Sequence, residues 1–152
     1  MELTSTPRRH PISPKSQSGR TTGLQLTTSG QLQTDIGENT IVFNAADGIG
    51  VDFNIGQSSD INIFDNVIVD NVSSGTGLLF SSINGTSDVT INNNSIQLLS
   101  GDGFVDQGII FSTVTGDVEL HGTENNIITG ATTPFSAAGT TGQIFVNGVR
   151  VP

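Results

Sequence analysis

The segment Asp88–Phe111, DVTINNNSIQLLSGDGFVDQGIIF, contains three short apolar runs. Val89-Thr90-Ile91 comes first, Ser95-Ile96-Gln97-Leu98 second and Gly108-Ile109-Ile110-Phe111 third, with Asn and Gly between them. Each run is β-branched or alternates apolar with polar residues, which is the pattern of a β-strand. A helical reading fails on composition. The chain has five Ala, four Glu and one Lys against nineteen Gly and many Asn, Ser and Thr.

The same unit recurs on both sides. Gly-x-x-Phe stands at Gly50–Phe53, Gly77–Phe80, Gly108–Phe111 and Gly142–Phe145, with Gly23–Leu26 as a variant, in steps of 27, 27, 31 and 34 residues. The first run aligns as Asp60-Ile61-Asn62-Ile63, Asp88-Val89-Thr90-Ile91 and Asp117-Val118-Glu119-Leu120, preceded by a weaker copy, Gln31-Leu32-Gln33-Thr34. The second run follows an Asn each time, at Asn39, Asn66, Asn94 and Asn126.

Three short strands in about 28 residues cannot bury an apolar face alone, but stacked repeats can. Each strand then lies on its equivalent in the previous coil of an all-β parallel solenoid, about 4.8 Å away. This places Phe53, Phe80, Phe111 and Phe145 in one interior stack and Ile41, Ile68, Ile96 and Ile128 in an aliphatic ladder beside it. Ile61 with Ile63, and Val89 with Ile91, point inward, while Asn62, Thr90 and Glu119 point out. Asn39, Asn66, Asn94 and Asn126 are expected to form a ladder, because an amide both donates and accepts and can bond to the coils above and below. Asn also tolerates the left-handed backbone of a tight corner.

The D-[VI]-x-[IL] runs, the Asn column and the Gly-x-x-Phe column together resemble the right-handed parallel β-helix family, the pectin-lyase-like fold. The likeness is strongest to repeat regions of large secreted or surface-attached bacterial proteins and covers about residues 21–152. It implies a right-handed parallel β-helix of about four to five coils with three short strands each. The handedness comes from the family and from the general crossover preference.

Residues 1–20 differ in kind. They hold four of the five basic residues, three Pro and almost no apolar side chain, and are expected to be a disordered tail before a β-helix domain at 21–152. They lack the apolar core of a secretory signal. The rest of the chain has thirteen acids and one base, Arg150. There is no Cys and no apolar run of membrane-spanning length. Gly130–Gly142 reads as an inserted side loop, where binding often resides. The end, Ile144–Val151, reads either as a hairpin turning at Asn147-Gly148 or as the first strand of a further coil, with the further coil slightly favoured. The amino end begins mid-coil. This is expected either of the carboxyl-terminal piece of a longer β-helix or of a chain that associates end to end.

Little points to chemistry. Lyases of this fold need a basic residue near acids, yet the coils contain no Lys and their sole Arg is at the end. His121 is their lone His and reads as a surface residue. Glycoside hydrolysis needs two carboxyl groups about 5–10 Å apart. The outward pairs Asp65/Asp70 and Asp102/Asp106 have no spacing that marks such a role. Asp60, Asp88 and Asp117 read as a vertical column that Ca²⁺ could bridge, or as plain turn residues, the latter favoured. Gly48-Ile49-Gly50-Val51-Asp52 matches one calcium nonapeptide but does not repeat. The outward Thr and Ser form no regular array suited to ice, and no basic–aromatic patch suits nucleic acid. The absence of Trp and Tyr removes the usual sugar platforms.

The expected function is therefore a non-catalytic structural and interaction module, a segment of an exported adhesin or passenger-like protein, extracellular or at the cell surface. It needs no cofactor, and its partners are surface glycans, proteins or copies of itself. The alternative is the carboxyl-terminal part of a carbohydrate-active β-helix enzyme.

Overall fold

A computed structural model describes residues 22–44, 46–71, 74–99, 105–137 and 141–150. The expected tail at 1–20 lies outside them. Strand β1 (Thr22–Thr28) leads into four three-strand coils. They are β2 (Leu32–Gly37), β3 (Thr40–Phe43) and β4 (Ile49–Ile55); β5 (Ser59–Phe64), β6 (Val67–Asp70) and β7 (Thr76–Ile83); β8 (Ser87–Asn92), β9 (Ser95–Gln97) and β10 (Gln107–Phe111); and β11 (Val118–His121), β12 (Ile127–Thr129) and β13 (Thr133–Ser136). Strands β14 (Ile144–Val146) and β15 (Val149–Arg150) close the chain.

Equivalent strands stack into three sheets, ordered β1-β4-β7-β10-β13, β15-β14-β11-β8-β5-β2 and β12-β9-β6-β3. Every pairing within them is parallel except β14 with β15. The protein is a parallel β-solenoid.

The interior columns explain the repeat. Phe53, Phe80 and Phe111 are fully buried and stack face to face, with centroids 4.7 and 4.3 Å apart. Ile41, Ile68, Ile96 and Ile128 are register partners in the four-stranded sheet. Each fully buried member contributes about 1.5–3 kcal/mol. The Gly of Gly-x-x-Phe is where these columns meet. A Cβ built on Gly23, Gly50 or Gly77 would lie 2.5–2.6 Å from the Cγ2 methyl of Ile41, Ile68 or Ile96, and on Gly108 3.0 Å from that of Ile128. The glycine makes room for the isoleucine.

Four expectations are corrected. The fourth ring of the column is Phe135, tilted by 52° and 6.1 Å from Phe111, and not Phe145. Phe145 lies on β14 opposite Glu119, in another sheet. Gly130–Gly142 is accordingly not a side loop, because it contains β13, the third strand of the fourth coil; residues 138–140 lie outside the described residues. The carboxyl end is a hairpin and not a further coil. Asn147 and Gly148 take φ of 50° and 77°, as a two-residue turn between antiparallel strands requires. Finally, Asp117 leaves the Asp column. β11 pairs with β8 as Val118 with Ser87 and Glu119 with Asp88, two residues from the expected register. A slip of two preserves the inward face, and the bridge between Ile83 and Val114 anchors it from below.

Candidate functional site

The expected amide ladder is present. The Nδ2 of Asn39 donates to Asn66 Oδ1 at 3.0 Å, that of Asn66 to Asn94 Oδ1 at 2.9 Å, and that of Asn94 to Asn126 Oδ1 at 2.8 Å. Each acceptor oxygen also receives the backbone N–H of the Asn in the coil before it. Asn66 and Asn94 are buried. The left-handed residue of each of the first three corners is the one before the ladder Asn, namely Glu38, Asp65 and Asn93. In the fourth coil a 3₁₀ turn, Thr123–Asn125, opens on left-handed Gly122 instead.

Outward columns repeat the device in exposed form. Gln33 donates to Asp60 and Asn62 to Asp35, at 3.4 and 3.2 Å. Asn71 donates to Asn44 at 3.0 Å, Ser74 to Asp47 at 2.8 Å, Asn125 to Asn92 at 2.8 Å, and Asn93 to Asp65. These bonds tie one coil to the next.

The acidic column on the six-stranded sheet is Asp60, Asp88 and Glu119, preceded by Gln33. His121 stands beside it, with Nε2 3.6 Å from Asp88 Oδ1 and both side chains exposed. Glu119 is already engaged, since its Oε1 accepts the N–H of Gly148 at 2.7 Å, and Glu124 accepts from Asn147 Nδ2 at 3.3 Å. Among the described residues no three His, Asp or Glu side chains gather closely enough to hold a metal ion. Millimolar calcium is therefore expected to leave the melting temperature unchanged. A shift of several degrees would reveal a cation on this column.

Of the carboxylates read as outward pairs, Asp70 and Asp106 do not face outward. Asp65 is exposed, but Asp70 is 4% exposed and Asp106 1%, both at the corner between the four- and five-stranded sheets. Asp106 Oδ1 accepts the Gly75 N–H at 2.9 Å, which gives it a structural use. Asp102 lies outside the described residues. Asp52 was not foreseen as a buried acid. One of its oxygens accepts from Gln25 at 3.1 Å, and the other has no hydrogen-bond partner. Arg150 sits exposed on β15 opposite Phe145. A buried Ser59–Ser87 hydroxyl pair, 2.8 Å apart, also escaped sequence reasoning, although both serines stand immediately before the Asp of their repeats.

No described helix is long and apolar enough to cross a membrane. No protein family, curated protein or solved structure matches the chain.

Proposed function

We propose that this chain is a structural and interaction module, a rigid β-helical spacer of the pectin-lyase-like, right-handed kind within an exported bacterial surface protein. The observation that carries this reading is the use to which outward polar groups are put. Asp35, Asp60, Asp47 and Asp65 each accept a hydrogen bond from a side chain in an adjacent coil. Side chains spent on tying coils together stiffen the stack and leave few free groups for acid–base chemistry.

An adhesin- or passenger-like role outside the cell follows, with proteins or surface glycans as partners. The formal charge of −9 directs contact toward cationic or neutral partners and away from acidic polymers. The open coil edges provide a further contact, between copies of the chain. The test is incubation of the purified chain with a panel of acidic and neutral polysaccharides, followed by assays for bound glycan and for released ends. Binding of neutral members without turnover of any is expected, and release of unsaturated or reducing ends would replace this reading with a carbohydrate-active one.

A further inference from the structure

Along β4, Val51 and Phe53 belong to the interior cluster, so alternation turns Asp52 to the outer face of the five-stranded sheet. There it is flanked in register by Gln25 of β1 and Leu79 of β7, with Ile110 of β10 next in the row. An outer face normally meets water. Asp52 is nevertheless only 8% exposed and Ile110 7%, and Ile110 is not part of the interior cluster. Asp52 is also the single charged residue in the five strands of this sheet.

Half of this carboxylate is unanswered. Gln25 Nε2 donates to Asp52 Oδ2 at 3.1 Å, while Oδ1 is buried with no hydrogen-bond partner. A carboxylate taken out of water is costly unless a cation or a donor meets it. Among the described residues the cationic side chains are His121 and Arg150, both on strands of the six-stranded sheet. The other Arg and Lys of the chain are Arg8, Arg9, Lys15 and Arg20. They stand in the stretch that leads directly into β1, the strand that carries Gln25, and Glu2 is the only acid among them. Twenty extended residues reach about 65 Å, whereas five strands span about 19 Å, so any of the four can arrive at Asp52.

We propose that residues 1–20 dock on the outer face of the five-stranded sheet, with one of these four cationic side chains bonded to Asp52 Oδ1. Charge selects the occupant, because the stretch is basic and the remainder of the chain is acidic. Burial selects the place. The acids on the six-stranded sheet also attract a basic stretch, but Asp88 is 63% exposed at its side chain, and pairs made in solvent contribute little. At Asp52 the cation meets a carboxylate that water does not serve. Leu79, half-buried beside it, gives the aliphatic stem of an Arg or Lys an apolar surface to lie on.

Limited trypsin digestion of the full chain reads this contact site by site, because a side chain held on Asp52 cannot enter the protease. One of the bonds after Arg8, Arg9, Lys15 and Arg20 is expected to be cut about tenfold more slowly in the parent chain than in Asp52→Asn, whose amide keeps an acceptor for Gln25. Cleavage after the exposed Arg150 is expected to be equal in both. Replacing the protected residue by Gln is expected to lower the melting temperature of the parent chain by a few degrees and to leave that of Asp52→Asn unchanged, a coupling that a solvated tail does not produce. Protection that grows with protein concentration would put the tail of a second copy on this face and overturn docking within one chain. Equal cleavage of the two chains at all four bonds would overturn the contact altogether. Should Asp52→Asn not fold, the four single Gln variants decide alone, since they leave the sheet untouched. One that lowers the melting temperature supports the contact, and four silent substitutions overturn it.

Discussion

Asn94→Ala is expected to lower the unfolding free energy by about 4 kcal/mol, or roughly 10 °C in melting temperature. The side chain is 1% exposed. Its Nδ2 donates to the carbonyls of Ile63 and Asn92 and to Asn126 Oδ1, and its Oδ1 accepts both the backbone N–H and the Nδ2 of Asn66. Alanine leaves those partners stranded away from water, and each stranded group costs about 1–3 kcal/mol unless it finds a new partner. Position in the ladder sets the cost. Asn39→Ala, at the exposed end, removes only donations to the Gly37 carbonyl and to Asn66, and is expected to cost about 1 kcal/mol or less. Asn94→Asp supplies acceptors where the two N–H donors of the amide are needed, so its charged form is disfavoured in the fold and its folded pKa is raised. The stability tied to its protonated form is complete below the unfolded pKa and is lost as pH rises through the folded one. Relative to the parent chain, this variant should therefore look worse at neutral pH than in acid. Chemical denaturation of the three variants at two pH values checks the ordering. Equal losses at Asn39 and Asn94 would show that ladder stacking is not the source.

The solenoid is legible in the sequence because its columns are made by side chains with few alternatives. An Asn repeated before each second strand, and an Ile two residues after it, mark positions that a parallel stack brings together, and Asn39, Asn66, Asn94 and Asn126 meet as expected. What misled the reading was coil length. Phe80 and Phe111 are 31 residues apart, as are Ser87 and Val118, yet matching Asp88 to Asp117 assumed 29. Agreement among the steps of one coil was the available signal, and it favoured Glu119 as the neighbour of Asp88. The fourth coil is shorter, with Phe111 to Phe135 spanning 24 residues, so Gly142–Phe145 copied the motif by composition while belonging to a different sheet.

The buried acids were less legible. Asp52, Asp70 and Asp106 look like ordinary solubilising residues, yet Asp52 is buried in mid-strand on β4 between Gln25 of β1 and Leu79 of β7, and Asp70 and Asp106 are buried at the ends of their strands. Alternation along β6 puts Asp70 on the inward face with Ile68, a signal the sequence did carry, whereas Asp106 stands before β10, where period-two reasoning has no warrant. The same limit applies to function. A face whose polar groups bond from coil to coil is recognised only when the register is known, because a one-coil step decides whether Asp60 meets Gln33 or an empty position.

Gly77→Ala is expected to cost about 3 kcal/mol although it adds one methyl group. The new Cβ would lie 2.5 Å from Ile96 Cγ2 and 2.8 Å from the Gly108 carbonyl oxygen. Neither neighbour can retreat easily. Ile96 is fully buried, and the carbonyl belongs to the Gly of the next coil, itself packed against Ile128 Cγ2 and the Pro134 carbonyl. Relief of the clash must therefore pass along the stack. Gly30→Ala is the matched control, since its nearest neighbour would be Thr28 Oγ1 at 3.7 Å, and it should change stability by about 0.5 kcal/mol or less. Ile96→Ala alone is expected to cost about 2–5 kcal/mol through the cavity it leaves. Combined with Gly77→Ala, it removes the methyl that the new Cβ strikes, so the double variant should lose about 1 kcal/mol less than the two single losses together. Strict additivity in that cycle would mean that the glycine is required by the approach of the Gly108 carbonyl alone. The isoleucine ladder and the glycine column would then be independent features of the coil, not two sides of one contact.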